Sequence, residues 1–307
     1  MIYEEDILSK QLYNLNKKYI IKIKNPMSNK HKTKIDYVYC FFWRLYRLLI
    51  KLFRRDIIDE EHYLTFEELE NKDNDFEIDN IPKVAIYTCI IGGYDKLWEP
   101  LYKSKYCDYY AITDFEIDNG SAWKRIDFHE YEDKIDKKDS PAYINRWFKM
   151  HPQEVFSSYQ YSIYIDGNVL VVSDLMPLVI KMINEKNFLG IHRHYARKYI
   201  ESEVKAIVKF KKNINKELTY KQVSRYKACG YNNDIPMLEA TILIRKHNDD
   251  KCIKVMNDWW SEFIKYSPRD QLSLPYVLWK NDVSLKDVTV LGNNEYLNPR
   301  FYINNHT

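Results

Sequence analysis

An acid, a glycine and an amide interrupt an otherwise apolar run in "YQYSIYIDGNVLVVSDLMP", residues 159–177. Asp166 and Asn168 offer oxygen donors two residues apart that can converge on one ligand. Hard divalent ions such as Mn²⁺ or Mg²⁺ prefer carboxylate and carbonyl oxygens. One reading is therefore a metal–diphosphate site of the Asp-x-Asp kind; the other is a tight turn, for which Asp, Gly and Asn are the usual residues. A carboxamide adds no charge, so this pair should hold a metal less firmly than two carboxylates. His247 and His306 are candidates for a further ligand. Arg146 and Lys149, three apart in "SPAYINRWFKMHP", share a helix face. They could meet a diphosphate or simply be solvated. "YSPRDQLS", residues 266–273, reads as a helix start with Ser267 as N-cap, Pro268 first and Asp270 third. The same carboxylate, beside Arg269, could bind a ligand's hydroxyls or act as a base. Glu239 opens a strand, and His192, Arg193, His194 and Arg197 form a cationic cluster after another.

Positioning these groups requires a scaffold, and the sequence describes one from residue 82 onward. "KVAIYTCII", "YCDYYAIT", "YSIYI", "FLGIHRH" and "LEATILIRKH" read as strands separated mostly by helical patterns. Such alternation predicts an α/β domain with a mixed, mainly parallel sheet flanked by helices. In open sheets of this class, ligands bind outside the carboxyl ends of the strands. Gly92-Gly93-Tyr94-Asp95, Thr113-Asp114, Asp166-Gly167-Asn168, His192 and Arg245-Lys246-His247 are accordingly expected on one rim. Neither GxGxxG nor a P-loop is present, which argues against a Rossmann oxidoreductase and a P-loop kinase.

Residues 1–80 read as an extension and 81–307 as the domain. In "YVYCFFWRLYRLLIKLFRR", residues 37–55, Arg44, Arg47, Lys51 and Arg54 recur three and four apart. This is too charged for a membrane span. It fits a helix lying on an anionic membrane surface, or one docked on the domain with its basic face solvated. An acidic stretch, 56–80, follows as a linker. The net charge of +3 is too small to suggest nucleic acid as a partner. Five scattered cysteines without CxxC spacing argue for a reducing compartment. With no signal peptide visible, the expected location is the cytoplasm, peripheral to the membrane if the 37–55 helix binds it.

Taken in order, "VAIYTCIIGGYDKL", "DYYAITD", Trp123, "RWFKMHP", "YSIYIDGN", "GIHRHYARKYIESE", "GYNNDIPMLEATILIRKHN", "DWW" and "YSPRDQLSLPYVLWK" resemble a glycosyltransferase-like family first catalogued as a domain of unknown function. That family includes bacterial polysaccharide-cluster proteins and plant proteins tied to pectin and mucilage. The resemblance covers about residues 82–285 and implies a GT-A-like fold with a nucleotide-sugar site. It implies that Asp166 and Asn168 meet metal and diphosphate, and that Thr88, Tyr94, Asp95 and Asp114 hold the nucleotide. Arg146 and Lys149 would face phosphate or ribose; Glu239, Arg269 and Asp270 would face donor sugar or acceptor. The expected function is transfer from a nucleotide sugar, a UDP-sugar in the first instance, to a surface polysaccharide or lipid-linked glycan. If the reaction inverts the anomeric centre, Asp270 is the first choice of base. The alternative is a non-catalytic glycan- or membrane-binding module on the same fold, which Asn168 in place of a second Asp keeps open.

Overall fold

Val84–Ile90 (β1) alternates its side chains between two cores, as a strand covered on both faces must. Ala85, Tyr87 and Cys89 join one cluster, Val84 and Ile86 the other. The computed structural model describes residues 81–135, 140–210, 215–292, 295–298 and 300–306. The expected 1–80 extension, with its basic helix, lies outside them.

Around β1 a seven-stranded sheet forms in the order β3-β2-β1-β4-β7-β6-β8. Its other members are Cys107–Thr113 (β2), Trp123–Ile126 (β3), Tyr161–Ile165 (β4), Leu189–Arg193 (β6), Leu238–Arg245 (β7) and Val288–Val290 (β8). All neighbouring pairs are parallel except those made by β7, which is antiparallel to both β4 and β6. Val169–Val171 (β5) leaves this sheet and pairs antiparallel with Phe301–Ile303 (β9).

Seven α-helices are described: Pro141–Met150 (α1), Pro152–Val155 (α2), Met176–Asn184 (α3), Ile200–Phe210 (α4), Lys216–Ala228 (α5), Asp250–Lys265 (α6) and Asp270–Lys280 (α7). Buried residues of α1, α4, α5, α6 and α7 pack in the cluster of Ala85 and Tyr87. Leu178, Val179 and Met182 of α3 pack with Val84 and Ile86, together with β5 and β9.

The antiparallel β7 corrects one expectation. Ser162 pairs with Arg245 and Ile165 with Ile242, so β7 starts at the rim where β4 ends. Glu239 is thereby brought to that rim, whereas Arg245, Lys246 and His247 go to the opposite edge. His247 is fully buried there, with Nε2 2.8 Å from the Phe156 carbonyl. It is no ligand candidate.

Candidate active site

The interrupted run of residues 159–177 folds as a turn that lines a cavity. Val169 N–H donates to the Asp166 carbonyl at 3.0 Å, closing a turn with Gly167 and Asn168 at its centre. This turn carries the chain from the main sheet into the small one, at the carboxyl end of β4. Gly167 is required by close approach: a Cβ there would lie 2.8 Å from Ile90 Cγ1 and 3.0 Å from Asp95 Cβ.

A cavity of about 650 Å³ opens over this turn. Its wall comes from the end of β1 and the loop after it, the exposed side of α1, the first residues of β7 and of α7, and the C-terminal segment. Tyr94, Asp95, Arg146, Lys149, Asp166, Asn168, Glu239, Arg269, Asp270 and His306 all line it. The sheet topology brings these expected residues together although they are spread over 213 positions of chain, from 94 to 306.

Four expected residues are placed elsewhere. Thr88 lies within β1, 2 % exposed and outside the cavity lining, which Cys89 and Ile90 of the same strand reach. Asp114 accepts a hydrogen bond from Gly92 N–H at 2.8 Å. It ties down the turn in which Gly92 and Gly93 adopt left-handed φ values of 70° and 63°. His192 is fully buried, with Nε2 3.0 Å from Asn298 Nδ2. Burial depresses its imidazole to about 3, so it stays neutral. Arg193 is exposed and outside the cavity lining.

Charge inside the cavity is organised around Asp270. Its Oδ2 meets Lys149 Nζ at 2.7 Å and Arg146 Nε at 2.9 Å. Burial alone would raise its carboxyl, but Arg146, Lys149 and Arg269 outweigh that and hold it far below the usual carboxylate range. Such a group is held as an anion and is a poor proton acceptor in this arrangement, which counts against Asp270 as the base. Lys149 is 1 % exposed, so the solvated-helix alternative does not describe it. Its ammonium also stands 3.7 Å from Asp166 Oδ1 and 5.1 Å from the Tyr164 ring centre. The helix start expected at Ser267 begins instead at Asp270, with Arg269 at the N-cap position and no side-chain cap. Asp270 is drawn toward the cations, and its other oxygen accepts from Gln271 N–H at 3.0 Å.

Several residues of the site escape a reading of sequence alone. Tyr164 OH donates to Asp166 Oδ1 at 2.8 Å. Burial, reinforced by the Asp166 charge, lifts that phenol well above its ordinary range and keeps it a donor. Asn145 donates to the Cys89 carbonyl at 2.5 Å and bonds Arg146 through its amide oxygen. Gln271 donates to Glu239 and accepts from Arg269 at 2.6 Å. Only their adjacency to Arg146, Asp166 and Asp270 could have flagged them.

The donor set near the turn fits a divalent ion in a limited way. Asn168 Oδ1 is buried without a hydrogen-bond partner, while Nδ2 donates to the Asn304 carbonyl at 2.9 Å. His306 Nδ1 lies 3.0 Å from Asp95 Oδ1, an orientation common behind metal-bound histidines. Among the described residues, no three His, Cys, Asp or Glu side chains converge on one point.

Residues 144–296 match the family model described as TOD1/MUCI70, glycosyltransferase-like domain. No curated protein matches the chain. Solved structures similar to it include mouse xyloside xylosyltransferase 1, at 7 % identity over 67 % of this chain and 84 % of that one, with a TM-score of 0.40. The galactosyltransferase LgtC, solved with donor and acceptor sugar analogs, is 12 % identical over 62 % of this chain and 70 % of its own, with a TM-score of 0.33. The bifunctional glycosyltransferase WbbM is 14 % identical over 94 % and 59 %, with a TM-score of 0.42. The matched region contains Arg146, Lys149, Asp166, Asn168, Glu239, Arg269 and Asp270, and over it the chain is similar to the TOD1/MUCI70 glycosyltransferase-like domain.

Proposed function

We propose that this protein transfers a sugar from a nucleotide diphosphate sugar, a UDP-sugar in the first instance, to a surface polysaccharide or lipid-linked glycan. The observation that carries this reading is the meeting of two buried-side cations, Arg146 and Lys149, with the Asp166-Gly167-Asn168 turn in one cavity. Cations fixed in a partly desolvated cavity stabilise charge that develops on a departing diphosphate. Tyr94, 64 % exposed at the edge, gives a ring for a base or sugar to lie against. Asp270, held as an anion, fixes Arg146 and Lys149 and opposes positive charge arising on the sugar ring. Glu239, near the start of β7, is the carboxylate left to receive an acceptor proton if the reaction requires one.

Asp166, Asn168 Oδ1 and His306 are the groups that would hold Mn²⁺ or Mg²⁺. Such an ion, when bound, would neutralise charge on the leaving diphosphate. The location we propose is the cytoplasm, with peripheral membrane contact through residues 37–55; among the described residues, no helix is long and apolar enough to cross a membrane. Deleting residues 1–55 should then release the protein from membranes.

The decisive experiment is a thermal-shift screen of UDP, GDP, CDP and their sugars with and without Mn²⁺. A ligand that binds only the folded chain raises its apparent stability. A shift with one nucleotide, enhanced by Mn²⁺ and lost in Asp166→Ala, supports transfer and identifies the donor class. No shift with any of them favours the non-catalytic binding module, which Asn168 and the sparse ligand set support.

A further inference from the structure

We infer that the helical hairpin α4–α5 is a docking track for a polyanionic acceptor glycan that leads to the cavity mouth; this rests on the transfer reading above. The hairpin is inserted between β6 and β7, so it leaves and rejoins the sheet at the cavity rim. It is tied to the site itself. Glu203, in the first turn of α4, is 1 % exposed and accepts from Arg269 Nε at 3.0 Å.

Its charge is lopsided. The described residues 193–210 and 215–227 hold nine Lys and Arg against three Glu, although the whole chain is nearly balanced. Two of those acids are already engaged, Glu203 by Arg197 and Arg269 and Glu201 by Lys227. Lys198, Lys205, Lys209, Lys216 and Lys221 are exposed. Of these, Lys205, Lys216 and Lys221 have no carboxylate partner among the described residues. Exposed Glu217 is the remaining acid, so the surface is predominantly positive, and such a surface concentrates and steers anionic ligands.

The chemistry of the face favours a glycan over a membrane. A membrane-surface helix turns its aliphatic residues outward to the lipid. Here Ile200, Val204, Ile207 and Val223 are buried in the core. The large apolar groups left exposed are Tyr199 and Tyr220, 47 % and 53 % accessible. Tyrosine rings among lysines suit the flat faces of sugars that carry carboxylates or phosphates nearby.

The test uses the full chain and labelled hyaluronate, a carboxylated glycan, against neutral dextran of similar length, followed by fluorescence anisotropy. Hyaluronate should bind at least about tenfold more tightly than dextran, and should weaken about tenfold between roughly 50 and 200 mM salt. The variant combining Lys205→Glu, Lys209→Glu, Lys216→Glu and Lys221→Glu should lose that preference, and the Lys→Gln counterpart should lose part of it. Equal binding of the two glycans, or full preference retained in the charge-reversed variant, overturns the inference. Tighter binding to phosphatidylserine vesicles than to hyaluronate, lost in the same variant, overturns it in favour of a membrane surface. The wild-type comparison needs no variant to fold. Nucleotide thermal shifts on the same samples keep the two readings separate: a missing shift sinks transfer, whereas a normal shift with no glycan preference sinks only the docking track.

Discussion

Replacing Asp270 with Asn removes one charge from the centre of the cavity and changes little else in shape. The Asp270 side chain is 3 % exposed, and two cations contact the same oxygen at 2.7 and 2.9 Å. Deleting one partner of such a buried group leaves its counter-charges uncompensated, at a cost of about 3–5 kcal/mol. For a domain of this size each kcal/mol moves Tm by about 2–4 °C, so a fall of roughly 6–20 °C is expected by calorimetry. Adding Lys149→Met should restore more than about 1 kcal/mol, because the stranded ammonium goes too and the two changes are coupled. Acid unfolding gives an independent check. Asp270 gives up its proton more readily in the folded chain than in the unfolded one, where its pKa is about 3.9. The clasp therefore stabilises fully above about pH 5 and fades as pH falls below about 4, and Asp270→Asn should flatten that limb. A loss under about 1 kcal/mol, or strictly additive single variants, would refute the buried clasp and the argument against Asp270 as a base.

Asn168→Asp should lower the unfolding free energy in the absence of metal by about 1–3 kcal/mol, since a carboxylate cannot donate to the Asn304 carbonyl; titration calorimetry should show tighter Mn²⁺ binding in the same variant. Gly167→Ala must push Ile90 or Asp95 aside, and should cost about 1–3 kcal/mol in urea unfolding and weaken any nucleotide-induced shift. Burial also depresses His247 to about 4 and His192 to about 3, and both must be protonated when the chain unfolds in acid. Each contributes stability present above about pH 6.5 and lost toward its folded value, with a slope of up to about 1.4 kcal/mol per pH unit. His247→Gln should reduce that slope in chemical unfolding followed from pH 7 to 4, and an unchanged slope would count against its burial as a neutral group.

Much of the scaffold was legible because its elements announce themselves locally. Val84–Ile90 is an apolar run closed by Gly-Gly, and Ser140-Pro141 marks a helix entry whatever lies around it. The direction of β7 was not legible. "LEATILIR" has the same pattern whether it runs with or against its neighbours, and only pairing of Ser162 with Arg245 fixes it. That one reversal brings Glu239 to the cavity and takes His247 from it. Short pieces such as Val169–Val171 and Phe301–Ile303 were likewise invisible as a sheet, because each is stabilised by a partner about 130 residues away.

The cast and its local geometry are written in the linear chain: Arg146 and Lys149 on one helix, Asp166 and Asn168 across one glycine, and Asp270 beside Arg269. Those relations depend on helix and turn periodicity, which any few residues carry with them. Their chemical state comes from packing between distant segments. Lys149 and Asp270 are 121 positions apart, and their contact at 2.7 Å arises only because α1 and α7 pack on the same face of the sheet. It is this packing, by excluding water around opposed charges, that turns a carboxylate expected to accept protons into a fixed anion.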